Sequence, residues 1–279
     1  MLPNLLIIGA AKCGTSSLHY YLDQHPDVSM SRPKETNFFV RDDWLALRSW
    51  YESRFDVSAA VRGEASPSST LFPYFRGVPE RVHSLVPDAK LIYLVRDPLA
   101  RLVAHYVEMY GLYFEHRPFE EAVGDPDEAR NFYLAGSRYA SQLEQYLRFF
   151  PEERVLVLEQ DDLLRKRERT LRRVFDFVGV DPEFRSEAFD RELNVRALKV
   201  RPRRSGLLLA RTGLIRLGRR KVPPRLRALV SRPVKRIVTR EIEEPRLEGE
   251  LRVRLTAALT PEVERLRVLA GRRFEGWGI

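Results

Sequence analysis

Three stretches of the chain are apolar at nearly every position: LLIIG at 5–9, KLIYLV at 90–95 and VLVL at 155–158. Short runs without polar alternation are what parallel strands covered on both faces carry. The second run is stopped by Arg96-Asp97-Pro98, and the third leaves through an acidic EQDDL. A shorter strand is expected at the start of VRGEASPS, 61–68. Elsewhere the apolar period is helical. It runs from Gly14 to about Gln24, recurs around DDWLALRSWYESRF (42–55) and over 78–87, and extends from Pro98, a first-turn residue, to about Tyr113. Further helices are predicted at roughly 136–149 and over RERTLRRVFDFVGV, where Leu171, Val174, Phe175 and Val178 share one face. The end of the chain reads as two helices, with Thr260-Pro261-Glu262 as the cap and first turn of the second.

Strands alternating with helices imply an α/β fold, a parallel sheet flanked by helices, followed here by a helical C-terminal portion. Ligands of such sheets gather at the carboxyl ends of the strands. Lys12 and Arg96 each stand just past such an end, so one crevice can take both. The expected organisation is a single domain, 1–279, with an α/β core over 1–198. Residues 199–279 hold a mixed basic and apolar segment, to about 240, and the terminal helices.

Composition narrows the partners. The 279 residues are 44% hydrophobic and 31% charged, with a formal charge of +9, which suits an ordinary globular protein that meets anions. Arginine outnumbers lysine 41 to seven, a bias that suits phosphate recognition and that codon composition also produces. The lone Cys13 rules out an intrachain disulfide and a Cys-pair zinc site, and the four histidines other than His105 lack metal spacing. The N-terminus lacks a basic signal-type region and no stretch reaches membrane-spanning length, so a cytoplasmic location is expected. The arginine bias and the length point to a bacterial source.

The first strand runs into GAAKCGTSSL, where an anion-binding loop is expected. Amides at a helix N-terminus attract negative charge, and here Lys12, Thr15, Ser16 and Ser17 surround the amides of residues 13–17. Gly9 and Gly14 would let backbone approach the anion. The lysine precedes the second glycine, whereas the ATP-binding G-x-x-x-x-G-K-[ST] loop places it afterwards. A second anion element is expected in LVRDPLARLVAHY, led by Arg96.

Together AAKCGTSSL and LVRDPLARLVAHY resemble the sulfotransferases that use 3′-phosphoadenylyl sulfate (PAPS), the bacterial and heparan-sulfate type above all. KETNFF (34–39), GEASPS (63–68), SRYASQLEQYLRFFP (137–151), FVGVDP and GRRFEGW fit the same pattern. The resemblance implies that Lys12, Cys13, Gly14, Thr15, Ser16 and Ser17 hold the 5′-phosphosulfate, with Lys12 neutralising charge on the leaving phosphate. It places the 3′-phosphate at Arg96 and at the position of Ala104, where the family usually has serine. It offers Arg203, Arg204 and Ser205, in RPRRSG, as a late basic loop closing on the nucleotide. It makes Glu35 the base that takes the acceptor's proton; His105, one residue past the nucleotide-facing position on its helix, is the rival base. The heparan-type enzymes often carry lysine at the position of Ala65, so their acceptor site is not copied here.

The implied reaction moves a sulfuryl group in line to a hydroxyl, or to an amine, of a small molecule, glycan or lipid, leaving adenosine 3′,5′-bisphosphate (PAP). No metal and no nucleic acid are expected in it. Residues 199–240 are expected to form a lid or a peripheral contact with an anionic membrane. Two other readings stay open: an ATP-dependent kinase or NTPase, and a non-catalytic basic protein that binds nucleic acid or membrane.

Overall fold

The structure, a computed structural model, describes residues 1–125, 131–191, 200–202 and 239–279. Its centre is a five-stranded sheet in the order β2-β3-β1-β4-β5, parallel at every pairing. The strands are β1 (Leu5–Gly9), β2 (Val28–Met30), β3 (Val61–Ala65), β4 (Lys90–Val95) and β5 (Val155–Glu159). Leu5 of the central strand pairs with Gly63 on one side and Lys90 on the other. The apolar runs are buried through their length, as strands covered on two faces must be. Strand β2 carries no legible pattern, being only three residues of VSM.

Helices cover the sheet: α1 (Thr15–Leu22), the short α2 (Arg48–Glu52), α3 (Val78–Leu85), α4 (Pro98–Gly111), α5 (Phe119–Val123) and α6 (Phe132–Ala135). They continue with α7 (Tyr139–Leu147), α8 (Gln160–Arg165), α9 (Arg167–Val178) and α10 (Gly249–Ala270). A two-stranded antiparallel ribbon joins β6 (Val200–Pro202) to β7 (Thr239–Glu241). The helix expected over 42–55 is reduced to a 3-10 turn, Trp44–Leu47, followed by α2. The acidic exit of β5 is the first turn of α8, with Asp161 and Asp162 at its start, where the helix dipole favours them. No helix among the described residues is long and apolar enough to cross a membrane.

The C-terminal expectation of two helices is corrected. One helix, α10, runs through Pro261 without a break. Leu255, Leu259, Val263 and Leu266 are all buried, so one apolar stripe spans the proline. Buried Glu262 accepts from the Ser141 amide at 2.9 Å and hydroxyl at 2.6 Å, tying the helix to α7. Packing along both halves outweighs the one backbone bond that proline removes. Beyond α10, the tail folds over the ends of β4 and β5. Trp277 Nε1 donates to Glu159 at 2.8 Å, Arg272 reaches Glu159 and Asp162, and the Gly278 amide donates to Asp97.

Candidate functional site

The anion loop follows β1. Lys12 and Gly14 both take left-handed backbone, φ 69° and 93°, which turns the chain sharply before α1. The Cys13 amide donates to Ala10 O and the Ser17 amide turns back to Gly14 O. The amides of Gly14, Thr15 and Ser16 are left at the open end of the helix, where no intrahelical acceptor exists for them. Packing gives a reason for glycine at position 9. A β-carbon there would collide with Thr70 and with the Tyr93 ring, so it permits the turn after β3 to pack beside the loop. The Cys13 side chain faces the core, fully buried with its sulfur 3.6 Å from Tyr139 Oη, and burial pushes its thiol pKa up.

Arg96 lies at the end of β4 and donates from Nη1 to Lys12 O at 3.3 Å. Arg96 thus touches the loop that carries Lys12, through the backbone carbonyl of that residue. Asp97 caps α4, accepting from the Ala100 amide at 2.7 Å, with Pro98 in the first turn. Arg101 of the same motif is fully buried. Its Nε donates to Ser137 Oγ at 2.7 Å, and its other nitrogens meet His105 and Tyr133 O, so it binds α4 to the α6–α7 turn.

Lys12 reaches across to α4, where Nζ pairs with Glu108 Oε1 at 2.9 Å. Both side chains are about a quarter exposed, at 27% and 22%. The ammonium that rests on the loop hydroxyls belongs to Lys34. Its Nζ is 2.9 Å from Ser16 Oγ, 3.3 Å from Thr15 Oγ1 and 2.8 Å from Glu35 Oε1. Glu35 is half exposed, so its carboxylate lies open to solvent beside the loop.

The segment that follows Glu35 is anchored by Glu64, which is 2% exposed. Thr36 Oγ1, Ser66 Oγ and Tyr51 Oη all donate to the Glu64 carboxylate, and the Asn37 amide donates to Ser66 Oγ at 3.0 Å. Burial pushes the Glu64 pKa up, while these donors pull it back. The backbone adds a strand-like link, Ala65 N to Lys34 O at 3.2 Å.

His105 cannot serve as the base in this arrangement. It is 3% exposed and its Nδ1 faces Arg101 Nη1 at 3.3 Å. Burial first, then the charges of Arg101 and Lys12, hold its pKa well below the usual range and keep the ring neutral. Ala104 lies half-buried on α4, one turn before Glu108, and contributes only a methyl group. Ser17 sits half-buried in the first turn of α1. Arg203, Arg204 and Ser205 fall outside the described residues, as does most of 199–240.

The structure therefore brings Lys12, Thr15, Ser16, Glu35 and Arg96 to one end of the sheet. It adds Lys34, Glu64 and Glu108, which the sequence reading had not assigned. No local signal marks the last three: a lysine beside a glutamate, a strand glutamate and a helix glutamate each look like ordinary surface charges. Chemically, the arrangement is an anion cradle of amides, hydroxyls and cations with two carboxylates beside it, Glu35 on Lys34 and Glu108 on Lys12.

A family model described as a sulfotransferase domain matches residues 2–203. Heparan sulfate glucosamine 3-O-sulfotransferase 6 of Homo sapiens is 33% identical over 187 residues, which are 64% of this chain and 52% of that protein. Bifunctional heparan sulfate N-deacetylase/N-sulfotransferase 1 of Caenorhabditis elegans is 27% identical over 208 residues, 68% of this chain and 23% of that protein. The chain thus spans about half the length, or less, of these curated relatives. The crystal structure of a sulfotransferase from Alicyclobacillus acidocaldarius superposes with a TM-score of 0.69 at 26% identity, covering 99% of each chain.

Proposed function

The chain belongs to the sulfotransferase family, and from that premise we propose that it moves a sulfuryl group from PAPS to a hydroxyl group. The observation that carries this reading is the cradle itself. Open helix amides, two hydroxyls and Arg96 meet at one sheet end, with the Glu35 carboxylate one ammonium away from the loop. The donor carries phosphates at two separated positions, and the cradle offers cations on two neighbouring strand ends. That donor set fits a polyanion of this kind.

In this reading the loop amides, Thr15 and Ser16 hold the 5′-phosphosulfate, and Arg96 holds the 3′-phosphate. Lys12 leaves Glu108 to neutralise the charge that grows on the departing phosphate oxygen. The acceptor oxygen forms a bond to sulfur as the bond from sulfur to the phosphate oxygen breaks. Glu35 takes the acceptor proton, and PAP departs. The protein's part is to position an in-line displacement and to stabilise charge. The acceptor class we favour is the hydroxyl of a glycan, lipid or small molecule; the two curated relatives named above carry heparan sulfate in their names.

Calorimetric titration with PAP, with and without Mg²⁺, tests the donor site. Binding is expected without metal, and Lys12→Ala should weaken it by about ten-fold or more, the loss of one charge-assisted contact. Glu35→Ala should retain PAP affinity and lose transfer. Mg²⁺-dependent ATP binding tighter than PAP binding would favour a kinase or NTPase instead.

A further inference from the structure

The geometry points to Lys34 as a catalytic cation of this site, the group that touches the transferring sulfuryl oxygens. This inference rests on the sulfuryl transfer proposed above. The Lys34 ammonium has three donors, and three oxygens surround it: Ser16 Oγ at 2.9 Å, Thr15 Oγ1 at 3.3 Å and Glu35 Oε1 at 2.8 Å. Two of these belong to the anion loop and the third to the base. An acceptor oxygen deprotonated by Glu35 must attack sulfur held at that loop. A cation in contact with both therefore sits where the sulfuryl group passes from one to the other.

Lys12 does not occupy that position, because its ammonium is paired with Glu108 on α4. The Lys34 backbone is fixed independently of its side chain. Lys34 O accepts from the Ala65 amide at 3.2 Å and from Ser31 Oγ at 3.3 Å, while Thr36 and Asn37 are anchored through Glu64 and Ser66. Only the ammonium is left to respond to a ligand, and the side chain is 22% exposed, within reach of the cleft. On donor binding it can exchange its hydroxyl contacts for sulfuryl oxygens without a backbone change. Charge on those oxygens is then stabilised from the acceptor side, as Lys12 stabilises it from the leaving-group side.

The test separates donor from product, since PAP lacks the sulfuryl group. Calorimetry with PAPS and with PAP is run on the native protein, Lys34→Met and Lys34→Arg, with thermal melting as a check on folding. Lys34→Met is expected to lose about ten-fold or more in PAPS affinity, one charge-assisted hydrogen bond, while PAP affinity stays within about three-fold. Lys34→Arg, which keeps the charge, should recover part of the discrimination. Equal losses for PAPS and PAP, or no loss for either, overturn the assignment while leaving sulfuryl transfer intact. Native protein that binds neither nucleotide overturns both readings together.

Discussion

The pairing of Lys12 with Glu108 makes a prediction about donor affinity. An acidic side chain one helical turn beyond Ala104 holds the loop lysine at 2.9 Å, so a polyanion entering the site must displace it. Glu108→Gln removes that competitor and leaves a side chain of the same length. A partly exposed ion pair of this type contributes about 1 kcal/mol, which the native protein forfeits when the donor binds. Repulsion between the carboxylate and a phosphate charge about 6 Å away, at an effective dielectric of about 80, adds about 0.7 kcal/mol. Together these amount to about 1.7 kcal/mol, or roughly 20-fold tighter PAP binding in the variant.

The assay is calorimetric titration with PAP at low salt and again at about 1 M, where the screening length falls to about 3 Å and most of the gain should vanish. The double variant Glu108→Gln with Lys12→Ala closes the cycle. The part of the gain that acts through Lys12 disappears there, leaving only the direct repulsion. Unchanged or weaker PAP binding by Glu108→Gln would refute the idea that Glu108 competes with the donor for Lys12.

Two further outcomes concern the parts that hold the site. Glu64→Ala strips the carboxylate from three buried or partly buried hydroxyl donors, Thr36, Tyr51 and Ser66; denaturant titration should show a loss of about 2–4 kcal/mol, and a loss under about 0.5 kcal/mol would contradict the network. Glu115 is held at a pKa of about 2, first by the Arg117 side chain and then by the amides of Arg117 and His116 and by Tyr133. Because this folded-state value is depressed, its contribution is present above the ordinary glutamate value and is lost as pH falls from about 4.5 towards 2. Glu115→Gln should remove up to about 2 kcal/mol of the stability that the native protein loses between pH 6 and pH 3, read by urea titration at each pH; an unchanged acid slope would show that the clamp carries no such free energy.

How much of this could be read from sequence follows from the range of each interaction. Strands β1, β4 and β5 were legible because burial on both faces leaves an uninterrupted apolar run. The start of α4 was legible because Asp97 and Pro98 act within three residues of one another. The Thr260-Pro261-Glu262 signal is just as local, yet it misled: the same three letters open a helix when nothing packs before them. Here Leu255 and Leu259 are buried on the near side and Val263 and Leu266 on the far side, so one helix results.

The same logic governs the site. The cradle was legible since its amides, hydroxyls and first lysine lie in one decapeptide. The division of labour between the lysines was not. Lys12 finds Glu108 at a separation of 96 residues, and Lys34 finds Ser16 at 18, through a sheet order that puts β3 beside β1 on one side and β4 on the other. Lysine side chains are long and sequence-neutral in their partners, so which ammonium meets the anion is decided by which carboxylates the folded chain sets within reach. With Glu108 on α4 and Glu35 beside the loop, each lysine is drawn to its own carboxylate. In the proposed reaction, that sets one cation on each side of the group to be transferred.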